Sequence, residues 1–217
     1  MRTYEEIIED LNGMIPEIHK NAVAHGWWEE KRKISEFYSL FHSECSEALE
    51  EYRDNKRDVY CAAYGSEFCR ECGEDSCEIS PEGDCFACLK QTVETGNWVL
   101  SKPEGVIVEL ADVVLRILDY LGEKGEELKT LSIQDKRGDR SDFTDMLAGL
   151  HTCLSLAYYQ AVTKNSLSVK DEATHLALTV RLIWDYADFR EYDIAEVVKI
   201  KHKFNVSRPY KHGGKRI

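Results

Sequence analysis

An all-α helical bundle is the fold these 217 residues predict. Long stretches repeat their apolar residues at helical spacing and show no strand-type alternation. Only four prolines interrupt them: Pro16, Pro81, Pro103 and Pro209. The elements follow in order. Tyr4 to Ala24 reads as a first helix, with a break expected near Gly13 and Pro16. Ile34 to Arg53 reads as a second. Residues 61–88 lose periodicity and gain cysteine and glycine, as a loop-built insertion would. A third helix is expected to open on Pro103 and Glu104, since proline suits a first helical turn, and to stop at Gly122 and Gly125. Lys129 to Arg140 is a polar connection. Phe143 to Val162, Val169 to Phe189 and Ile194 to Asn205 complete the set. The division expected is one helical domain over 1–217, carrying the insertion at 61–88 and an inserted helical hairpin at 141–190.

The hairpin reads as a degenerate repeat of the helices before it. Glu109–Tyr120 can be laid over His175–Tyr186 without a gap, and His42–Ala48 over His151–Ala157. The second copy lacks the carboxylates of the first: Glu44, Glu47 and Asp112 face Cys153, Leu156 and Leu178, and Glu109 faces His175. Such a copy would pack on the first like a dimer fused into one chain. Chance likeness between two amphipathic hairpins is the alternative.

The formal charge is -12. It disfavours a nucleic-acid backbone as partner and suits hard cations. No apolar run reaches the roughly 18 residues a membrane span needs. Met1 to Asp10 is acidic and lacks the apolar core of a secretion signal, so a reducing cytoplasmic setting is expected. There the eight cysteines read first as thiols or metal ligands.

The chemistry sits on the second and third helices. At about 100° per residue, Glu109, Asp112, Arg116 and Asp119 share one stripe of a helix that is otherwise apolar nearly all round. Such a helix is buried, and buried carboxylates need a partner or a metal. Glu44, Glu47 and Glu51 lie along one flank of the second helix. Side by side, the two helices can bring Glu44, Glu47, Glu109 and Asp112 together. Crowded like charges call for a cation, and oxygen-only ligands suit Mg²⁺ or Mn²⁺, which also accepts substrate phosphates.

Glu44-x-x-Glu47 followed by Glu109-x-x-Asp112 resembles the ExxE…ExxD signature of the MazG-like all-α nucleoside triphosphate pyrophosphohydrolases. The stretches around both acidic pairs, and Lys201 to Lys215 near the C-terminus, resemble that family's metal helices and C-terminal segment. About half the chain is covered. The interval between the acidic motifs is longer than usual, and about seventy residues separate the second motif from the C-terminal block. The resemblance implies cleavage of a nucleoside triphosphate between its α- and β-phosphates. It implies Mg²⁺ on Glu44, Glu47, Glu109 and Asp112, with Glu47, or else Glu44, acting on the attacking water. Lys201, Asn205, Arg208 and Lys211 would meet the phosphates or sugar. A homodimer or homotetramer is implied. A dUTP- or dCTP-specific enzyme of the same fold is an alternative, and so is a non-catalytic zinc-containing interaction module.

Trp27 and Trp28 are candidates for a base pocket, or staples of the first helix. His42 is a candidate substrate contact or a structural histidine. Cys69-x-x-Cys72 and Cys85-x-x-Cys88, twelve residues apart, have the spacing of a structural Zn²⁺ site, with Cys61 and Cys77 as competing thiols.

Overall fold

A computed structural model describes residues 2–62, 102–131, 142–163 and 171–211. Among them are six helices: α1 (Tyr4–Ala24), α2 (Ile34–Arg53), α3 (Val106–Lys124), α4 (Phe143–Thr163), α5 (Glu172–Phe189) and α6 (Ile194–Val206). Two short strands precede α3: β1 (Tyr60–Ala62) and β2 (Lys102–Glu104). No described helix is long and apolar enough to cross a membrane. Cys69, Cys72, Cys77, Cys85 and Cys88 lie outside the described residues, as do residues 212–217 of the C-terminal block.

Polar caps set the helix starts. Thr3 and Glu6 form a reciprocal capping box on α1. Asp171 caps α5 and Asp193 caps α6 through their carboxylates. The α1 helix runs unbroken through Pro16. A helix-interior proline costs about 3 kcal/mol. Pro16 faces solvent, while Ile15 and Ile18 on either side are buried and hold the turn in place.

Helix α3 is the central element. Thirteen of its residues are buried, including all ten of its Val, Ile and Leu positions from Val106 to Leu121. It packs against α1, α2 and α6, and α4 packs with α5 beside α2. Its start differs from the sequence expectation. Pro103 belongs to β2 and pairs with Cys61 in an antiparallel ladder. Gly105 is the N-cap, at φ +117°. A Cβ there would lie 2.5 Å from the backbone oxygen of Asp58, so only glycine fits. Gly122, expected to end the helix, lies inside it. A Cβ on Gly122 would approach the Cβ of His19 to 2.6 Å, so the missing side chain lets α1 and α3 pack closely. The stop is Gly125, in the left-handed conformation.

The ladder also explains how the long interval between the acidic motifs is tolerated. Ala62 pairs with Lys102, so the chain leaves and rejoins the described helices at neighbouring points. The spacing of α2 and α3 does not depend on the length of what lies between.

The two hairpins meet through the repeat-equivalent residues His42 and His151. Their Nδ1 atoms are 2.7 Å apart and their ring planes differ by 6°. The 5.0 Å centroid separation matches that contact plus two ring radii. The rings therefore lie head to head in one plane and share a single proton, one donating and one accepting. Burial lowers both pKa values, and the neighbouring His151 ring further opposes charge on His42. Below about pH 6.5 the unfolded chain takes up protons that the folded pair refuses, so stability is lost as pH falls through that range. Between pH 7.5 and 5.5 the urea midpoint of wild type should fall relative to that of His151→Gln. An equal change in both proteins would refute the shared-proton pair.

Candidate active site

The acidic cluster forms where α2 crosses α3. Oxygens of Glu44, Glu47 and Glu109 lie within 4.8 Å of one another. Glu44 and Glu109 are each only 6% exposed, whereas Glu47 faces outward. Asp112, one turn beyond Glu109, joins through α6. The buried Nζ of Lys201 is 2.9 Å from Asp112 Oδ2 and 3.7 Å from Glu109, and it donates to the Pro103 carbonyl at 3.3 Å. Arg116 Nε donates to Glu44 Oε1 at 3.0 Å.

Burial is the main force on these groups. It raises the pKa of Glu44, with Asp112 adding to the effect and Arg116 opposing it. It raises Glu109 likewise, against Lys201. For Lys201 burial works against the charged ammonium, but Asp112 and Glu109 outweigh it, so the lysine is held charged. When all four carboxylates ionise, the two cations that touch them, Lys201 and Arg116, leave two negative charges uncompensated. One divalent cation would balance them. Hard oxygen donors in this number fit Mg²⁺ or Mn²⁺.

The cluster forms one end of a cavity of about 170 Å³ between α1, α2, α3 and α6. Trp27, Lys102, Asn205 and Arg208 line it as well. Asn205 presents a buried Oδ1 with no hydrogen-bond partner among the described residues. His25 fixes the segment after α6: its ring nitrogens lie 2.9 Å from the carbonyls of Asn21 and Arg208.

Some sequence candidates stand elsewhere. Lys201 lines the cavity with its ammonium on the carboxylates of Asp112 and Glu109. Lys211 does not line the cavity; its ammonium is 2.9 Å from Glu29. His42 does not line it either and packs on His151. Trp28 is a staple: its ring stacks on Phe37 at 5.1 Å and its Nε1 donates to Asp119. Trp27 lines the cavity, with Arg32 over its ring at 5.3 Å. Sequence reasoning assigned no role to Arg116, Asp119 or Lys102. For the first two the signal was present, since they share the stripe of Glu109 and Asp112.

Comparison with protein-family models, with curated proteins and with solved structures returns no match.

Proposed function

We propose that this chain is a Mg²⁺-dependent nucleotide pyrophosphohydrolase of the MazG-like type, converting a nucleoside triphosphate and water to the monophosphate and pyrophosphate. The convergence of Glu44, Glu47 and Glu109 within 4.8 Å, in a buried site short of positive charge, carries this reading. The motif resemblance supplies the reaction class.

Glu44, Glu47, Glu109 and Asp112 would hold Mg²⁺ or Mn²⁺. A cation there neutralises phosphate charge and acts as a Lewis acid toward the substrate. Glu47, at the open side, has no partner among the described residues and accepts a proton from the attacking water. That water attacks the α-phosphorus, the α–β anhydride bond breaks, and pyrophosphate leaves. Arg208 and Lys102, both on the cavity wall, face the polyphosphate. Arg116 holds Glu44 in place. The orphaned oxygen of Asn205 is an acceptor, which suits a sugar hydroxyl better than a phosphate oxygen. Pyrophosphate release from a mixture of NTPs and dNTPs tests the reading: it should require Mg²⁺ or Mn²⁺ and vanish in chelator. No release with either ion from folded protein would end it.

A further inference from the structure

Asp119 belongs to the same cavity but lies two turns beyond Asp112, about 10 Å along the helix. Its Oδ1 accepts two hydrogen bonds at 2.9 Å, from Trp28 Nε1 and from the His19 ring. Trp28 is itself held by Phe37, and His19 meets its ring edge-on at 5.2 Å. One oxygen of Asp119 is thus fixed, and the other carries no hydrogen bond from the described residues. Ile18 and Ala22 from α1, Leu115 from α3 and Trp27 give this cavity its apolar lining, beside polar residues that include Asn21, His25 and Arg208. A few apolar side chains beside one fixed acceptor select a flat group that brings a donor. The free oxygen of Asp119 is an acceptor, so it suits a donor better than a phosphate oxygen. The cavity therefore joins the carboxylate cluster to a second, separately fixed acceptor.

Resting on the pyrophosphohydrolase reading, we propose that Asp119 is a specificity-determining residue: its free oxygen accepts from the exocyclic amine of the nucleobase, so the preferred substrates carry an amino-substituted base. The substitution Asp119→Asn makes this sharp. Trp28 can only donate, so it takes the single amide oxygen and turns the NH₂ toward the base. The site then prefers a carbonyl where it preferred an amine.

The experiment measures kcat/KM for pyrophosphate release from dCTP, dATP and dUTP, and calorimetric binding of the same nucleotides with Ca²⁺. Wild type should favour the amino-bearing bases about tenfold or more, as expected when a buried polar group is left unpaired. Asp119→Asn should reverse the order. Trp28→Phe, which releases the carboxylate, should flatten it without reversal. Equal use of dCTP and dUTP by wild type, or the same order in Asp119→Asn, would overturn the proposal while hydrolysis itself stands. Base-selective binding that Asp119→Asn reverses, without hydrolysis of any nucleotide, would support the recognition role and remove the catalytic reading instead.

Discussion

Glu109→Gln is expected to lower pyrophosphate release about 100-fold or more while leaving the metal-free protein at least as stable as wild type. The two effects have one cause. Burial opposes the charge on Glu109, so the carboxylate costs the fold stability whenever no cation is bound. Glutamine keeps the shape and removes the charge. Lys201 retains Asp112 at 2.9 Å, so the variant does not orphan the lysine. Catalysis loses a ligand oxygen, and metal-based charge stabilisation contributes several kcal/mol, each 1.4 of which is about a factor of ten. The same burial sets a pH dependence. The folded pKa values of Glu44 and Glu109 stand above their unfolded values, so the folded state holds extra protons. Metal-free stability therefore falls as pH rises from the ordinary carboxylate range through neutrality. Metal binding needs the deprotonated ligands. Mg²⁺ should raise Tm more at pH 8 than at pH 6, and Glu109→Gln should shrink that difference. A glutamine variant that unfolds, or that keeps full activity, would contradict the charge account.

Lys201→Met is expected to behave in the opposite way. The lysine is 2% exposed and neutralises two carboxylates. Removing one partner of a buried ion pair costs about 3–5 kcal/mol, because the other charge stays buried without compensation. Methionine fills much the same volume, so the loss is electrostatic. Urea unfolding in EDTA should show the full deficit. In saturating Mg²⁺ the deficit should shrink, since a divalent cation supplies the missing charge to Asp112 and Glu109. A deficit of equal size with and without Mg²⁺ would mean that the lysine acts by packing alone.

The sequence made the helices and the acids legible because both follow from local rules. Periodicity locates α1, α2, α4, α5 and α6 to within a few residues, and the all-round apolar character of α3 announces its burial. The errors arose where a contact distant in sequence decides. Pro103 has the look of a helix start, yet three-residue strands are too short to show alternation, and pairing with Cys61 claims it. Gly122 reads as a stop because its close approach to His19 is a tertiary fact. The phosphate role of Lys201 came from the motif resemblance; only the packing of α6 against α3 shows its ammonium on Asp112. Asp119 was visible on the stripe, but Trp28 and His19, which orient it, come from other segments. His42 and His151 were matched as repeat positions, and nothing local says that they touch.

The central claim is the bond that breaks. Phosphorus NMR of a nucleoside triphosphate incubated with the protein and Mg²⁺ should show pyrophosphate and nucleoside monophosphate rising together in equal amounts, with no diphosphate intermediate, and neither product in EDTA. Inorganic phosphate and nucleoside diphosphate as first products, or an unchanged triphosphate spectrum with folded protein, would contradict it.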